Sequence, residues 1–182
     1  QESLGASFKS LGANTFNIEA TVTAGRTSGK ITKPYRELNY KEALLFGKLS
    51  DLPEESVSIT SRLTSTAELK SATDKTDPNS KVYVVDHNYA RIKALNIVKG
   101  RNFNSLDMSQ SSPLAILGKD LAESLFDEEV IGSYVYYKSE RFRVIGLLEE
   151  TGGAFGGSGF DRALLIPHSY ARKLSEGTPD FT

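Results

Sequence analysis

The stretch SPLAILGKDLAESLFDEEVIGSYVYYKSERFRVIGLLEE, residues 112–150, carries the fold class. SPLAILG is a short apolar strand. KDLAESLF follows as a helix, with Leu121 and Leu125 four apart on its inner face. GSYVYYKSERFRVIGLLEE then reads as two strands meeting at Ser139-Glu140. Val135 and Tyr137 share one face of the first strand, and Phe142 and Val144 one face of the second. A strand, a helix and a hairpin in immediate succession predict an α+β fold.

Upstream, KVYVVD predicts a strand, and HNYARIKALNI a short helix running into another strand. The preceding residues, SATDKTDPNS at 71–80, are rich in Ser, Thr, Asp and Pro, the composition of a neck between two units. Before it, Val57, Ile59, Ser61 and Leu63 alternate as a strand. Asn39 and Glu42 have the spacing of a capping box that opens a helix over Tyr40–Leu49. Phe16, Ile18, Ala20 and Val22 alternate as a further strand. Leu4, Phe8 and Leu11, spaced four and three, form the apolar stripe of a first helix. Downstream, RALLIP is a buried strand, and Pro167 suits the first position of a helix PHSYARKL. The core beyond the neck is expected to hold Val84, Ile97, Ile116, Leu121, Leu125, Val135, Val144, Ile145 and Leu165.

Composition excludes several classes. Lys plus Arg (22) nearly balances Asp plus Glu (23), so no strong field draws the chain to nucleic acid. No run of about 18 apolar residues is present to span a bilayer. The absence of cysteine excludes disulfides and thiolate metal sites. The chain opens QESLGASFKS, without an initial methionine, and reads as a piece of a longer protein.

The candidate chemistry falls away on spacing. Five glycines crowd residues 152–159, yet the dinucleotide fingerprint begun at Gly157-Ser158-Gly159 meets Arg162 where it needs glycine. Gly152 and Gly157 have P-loop spacing, but Ser158 stands where lysine is required, and the run leads into a strand rather than a helix. The same context denies Ser158 the nucleophile elbow. These residues are expected to be mobile and to hold no phosphate. His87 and His168 each lack a second ligand at metal spacing, and Asp86-His87 at a strand-to-helix junction suits capping. Glu54-Glu55, Asp127-Glu128-Glu129 and Glu149-Glu150 border turns, the ordinary place for solvated carboxylates. Tyr134, Tyr136 and Tyr137 opposite Arg141 and Arg143 have the makings of a stacking surface for single strands. With net charge near zero, a hairpin with one packed and one solvated face is the simpler account. The sequence thus assigns no catalytic, cofactor-binding or metal-binding residue.

An ordered series of elements resembles a known family. Gly100-Arg101 is followed by Phe103 and Asp107, then by Ala115-Ile116-Leu117-Gly118, Leu125-Phe126, Ile131-Gly132 and Phe142-Arg143-Val144-Ile145-Gly146. Together with RALLIP and the opening SLGANTFNIEA, these resemble the periplasmic core domain of MacB-type ABC transporter permeases, within the FtsX-like group. The resemblance implies two subdomains. Residues 1–72 would be the first segment of a membrane-proximal porter-like αβαβ unit, 73–80 the neck, and 81–178 an inserted mixed α/β unit. Residues 179–182 would begin the returning porter segment, with Phe181-Thr182 beside residues 70–80.

The implied function is non-catalytic. The domain would lie on the periplasmic side of the inner membrane, held by flanking helices, and transmit ATP-driven conformational change to substrate export or a periplasmic partner. ATP hydrolysis would sit in a separate domain or chain, and no cofactor is implied here. The partners implied are a second copy of the permease and a periplasmic adaptor or hydrolase. The helix of Leu4, Phe8 and Leu11 would carry displacement outward, and alanine at Asp86, His87, Ser158 or His168 is expected to leave transport nearly intact. Two other classes stay open: a protein-binding module that activates a cell-wall hydrolase or handles lipoproteins, and a small hydrolase built on Asp86-His87 and a distant serine.

Overall fold

The computed structural model describes residues 40–151 and 159–170 of the 182-residue chain. The helix expected over Leu4, Phe8 and Leu11, the strand over 16–22, Asn39, the glycines at 152–157, Ser158 and residues 171–182 lie outside the described residues.

Helix α1, Tyr40–Leu49, has the expected bounds, with Glu42 in its first turn and Lys48 in its last, as the helix dipole favours. A 3-10 turn, Glu54–Ser56, leads to strand β1, Ser61–Ala67. Strand β2, Leu69–Lys70, follows after the single residue Glu68. Then come β3 (Ser80–Val85), α2 (Tyr89–Ile92), β4 (Ile97–Gly100) and α3 (Ser105–Gln110). Next are β5 (Leu114–Leu117), α4 (Lys119–Leu125), the hairpin β6 (Tyr134–Tyr137) and β7 (Glu140–Leu148), and finally β8 (Ala163–Pro167).

The eight strands among the described residues join one mixed sheet in the order β1-β3-β8-β5-β7-β6-β2, with β4 added beside β7. β3 with β8 and β5 with β7 are parallel, and the other pairs are antiparallel. The two ends of that order, β1 and β2, are one stretch of chain interrupted only at Glu68. Its first part is hydrogen-bonded to β3 and its last two residues to β6. The path of strands therefore curls into a closed ring, with β4 beside it paired on one side only.

Strand period sorts the side chains to the two sides of the ring. Inside lie Leu69, Val82, Val84, Ala115, Leu117, Val135, Phe142, Val144, Leu164 and Ile166, joined by Leu121, Ala122 and Leu125 from α4. On the other side Val85, Ile116, Ala163 and Leu165 pack with Tyr89 of α2, Phe103 and Leu148. β8 is buried on both faces and so reads as a continuous apolar run rather than an alternation. Seven of the nine expected core residues are buried; Ile97 and Ile145 are half-buried against the second cluster.

The structure corrects three details. The strand expected from Val57 begins at Ser61, because residues 58 and 59 are bound by a side chain from elsewhere in the chain. α3 was not foreseen. Its capping box is complete: Asn104 Oδ1 accepts the Asp107 N–H, and the Asp107 carboxylate accepts the Asn104 N–H, both at 2.9 Å. Pro167 closes β8 opposite Val85 instead of opening the helix, which starts at His168. The polar stretch 73–80 is a hydrogen-bonded turn. Thr76 N–H donates to Leu69 O at 2.9 Å, and Leu69 N–H to Thr76 Oγ1 at 3.1 Å. β1 and β2 precede this stretch, so the sheet takes in residues on both sides of it.

Candidate functional site

The acid of the Asp86-His87 pair is fully engaged. Asp86 Oδ1 accepts hydrogen bonds from Ser58 Oγ at 2.7 Å and from the N–H groups of Asn88 and Tyr89, both at 3.0 Å. Oδ2 accepts the Ile59 N–H at 2.7 Å. Asn88, buried, donates through Nδ2 to Glu54 O and Val57 O, each at 3.1 Å. Arg91 donates to Glu55 O, and to Asn88 Oδ1 at 3.3 Å. Asp86 thus caps the start of α2 and ties down the segment before β1. Asn88 and Arg91 escaped the sequence reading, although Asp-x-Asn after a strand is itself an N-terminal turn signal. His87 only accepts Asn102 Nδ2 at its carbonyl, 2.9 Å, while its Nδ1 is buried without a protein partner.

The other candidates stay apart. His168 Nδ1 lies 3.2 Å from Met108 Sδ. Among the described residues no three His, Asp or Glu side chains are placed to hold a metal ion. Glu54, Glu55, Asp127, Glu128, Glu129, Glu149 and Glu150 are all exposed.

The Gly100-Arg101…Asp107 series is a brace. The Arg101 guanidinium sits on both oxygens of Asp107, at 2.6 and 3.1 Å. That hydrogen bond is the main reason the Asp107 carboxyl lies below the usual carboxylate range, despite its burial. Gly100 takes φ +76° and faces Gly146 where β4 crosses β7; a Cβ there would strike Ile145 O.

The hairpin splits its side chains by face. Val135, Tyr137, Phe142 and Val144 are buried, while Arg141 and Arg143 are exposed and Tyr134 is 42% exposed. Arg141 lies over the Tyr134 ring, 4.5 Å from its centre. Beside the hairpin tip, between the β1–β2 stretch and β6, is a groove of about 340 Å³ lined by Thr64, Thr66, Glu68, Lys70, Tyr136 and Lys138. Tyr170 anchors the helix after β8 to the hairpin through a 2.6 Å bond to Glu140. Burial first, then that carboxylate, push its hydroxyl up to about 12.

No helix among the described residues is long and apolar enough to cross a membrane. Residues 2–181 match the MacB-like periplasmic core domain family. Among curated relatives, the macrolide export ATP-binding/permease protein MacB of Rhodospirillum rubrum is 37% identical over 81 residues, 43% of this chain and 12% of that protein. The pyoverdine export ATP-binding/permease protein PvdT of Pseudomonas savastanoi is 31% identical over 86 residues, 46% of this chain and 13% of that protein. The chain therefore spans about an eighth of the length of these relatives. Among solved structures, the periplasmic region of MacB from Actinobacillus actinomycetemcomitans superposes with a TM-score of 0.63 at 20% identity, over 81% of this chain and 64% of that one. The extracellular domain of the transporter YknZ gives 0.51 at 23% identity, over 66% and 57%. The family match over nearly the whole chain and the shared fold lead to one conclusion: this chain belongs to the MacB-like periplasmic core domain family.

Proposed function

We propose that this domain is a non-catalytic, force-transmitting element on the periplasmic side of an ABC transporter permease. The observation that carries the reading is the continuity of one chain path. The strand that closes the ring, β1 with β2, is joined through the pinned segment 54–59 to helix α1. A displacement delivered to that path would reach a body packed on both faces, which transmits strain instead of absorbing it. ATP hydrolysis would reside elsewhere in the parent protein, and a second copy of the permease would be the first partner. The names of the relatives, macrolide and pyoverdine export proteins, make export the favoured class of work.

The helix of Leu4, Phe8 and Leu11 would be the input. Cysteines introduced on it and cross-linked between two copies of the parent permease should abolish transport while ATP binding survives, and reduction should restore transport. Undiminished transport with the helices locked would overturn the reading. The groove beside the hairpin tip favours a second reading, a docking module for a periplasmic protein. A Tyr136→Ala, Lys138→Ala double variant that loses a partner without losing transport would favour that reading instead.

A further inference from the structure

We infer that Asp86 and Asn88 are positioning residues: their side chains set the direction in which helix α1 leaves the ring, and so form the joint through which the two move together. Residues 57–60 lie outside every strand, and what holds them and the turn before them is a set of side-chain bonds from the β3–α2 junction. Asp86 takes Ser58 and Ile59, Asn88 takes Glu54 and Val57, and Arg91 takes Glu55.

The chemistry is complementary and unforgiving. An ionised carboxylate only accepts, and all four groups that reach Asp86 are donors. The Asn88 amide turns its NH₂ to two carbonyls and its oxygen to a guanidinium. Asp86→Asn and Asn88→Asp keep size and shape. The first nevertheless sets an N–H₂ against N–H or O–H donors, and the second sets a carboxylate oxygen against a carbonyl oxygen. That the joint serves coupling rests on the force-transmission reading; that it fixes the helix does not.

The chain has no cysteine, so introduced ones label uniquely. Spin labels at Lys48→Cys on α1 and Lys138→Cys at the hairpin turn measure the joint by double electron–electron resonance. Labels at Lys99→Cys and Lys138→Cys measure the ring alone. Asp86→Asn should broaden the first distance distribution about two-fold and leave the second unchanged. It should also speed exchange of the Ile59 amide about ten- to a hundred-fold, because that amide loses a charged acceptor. An unchanged first distance overturns the inference. Broadening of both distances also overturns it, since the residue would then be holding the ring itself. Asn88→Asp must give the same pattern. If the first distance alone broadens and the parent permease still transports normally, the joint stands and the coupling role assigned to it fails.

Discussion

Arg101 lays its guanidinium on Asp107 while the same carboxylate accepts the N–H of Asn104, so one buried acid serves both a brace and a helix cap. Its pKa is lowered, chiefly by Arg101. The unfolded chain thus holds the proton more tightly than the folded one. The stabilisation is fully present above the ordinary carboxylate range and disappears as pH falls through the depressed folded value. Arg101 is half exposed, which discounts the pair. Asp107→Asn should lower stability at neutral pH by roughly 1 kcal/mol and flatten the acid limb of a plot of urea midpoint against pH. An acid limb identical to that of the parent chain would contradict this. Tyrosines govern the alkaline side. Burial raises Tyr89 to about 12, and burial with Glu140 raises Tyr170 to about 12. Here the folded state favours the neutral form, so stability holds below pH 10 and is lost as pH climbs toward 12. In an absorbance titration, Tyr89→Phe and Tyr170→Phe should each remove a late-ionising component.

Among the elements, the hairpin was legible because strict period two separates Val135, Tyr137, Phe142 and Val144 from Tyr134, Arg141 and Arg143. α4 was legible because Leu121 and Leu125 return on one face. α3 was not, since of its six residues only Leu106 and Met108 are apolar and Leu106 is 60% exposed. Its real signal was Asn104 with Asp107 three residues on, a pair that apolar periodicity ignores. The Asp86 joint was legible by half. An acid after a strand announces a cap, whereas its bonds to residues 54–59, the Ser58 hydroxyl apart, run to backbone atoms that the sequence does not distinguish. Gly118, where β5 passes into α4, marks another contact hidden in the sequence, since a Cβ there would collide with the carbonyl oxygens of Phe160 and Asp161. Gly118→Ala should therefore destabilise by about 1–3 kcal/mol, with φ blameless at −71°. A calorimetric melt matching that of the parent chain would refute the close approach.

At the scale of the molecule, fold class followed from the local patterns, but strand order did not. Pairing Lys81 with Ala163 or Leu69 with Tyr137 depends on partners far apart along the chain, which local periodicity cannot report. Leu69, with no exposed surface, sits in the two-residue strand that shuts the ring. Leu69→Ala should cost about 2–5 kcal/mol, and circular dichroism and tyrosine fluorescence should lose structure in a single shared transition. Separate transitions for the hairpin and for β3 would mean that the ring is not one unit. The same closure imposes a timetable on synthesis. The β1–β3 pair can form soon after residue 85 leaves the ribosome, yet β3 must wait for residues 163–167 before its other flank is filled. Contacts of such long sequence separation are slow to form. The nascent domain therefore stays half-paired until β8 is made, and that interval, rather than the finished fold, is where a chaperone would find it.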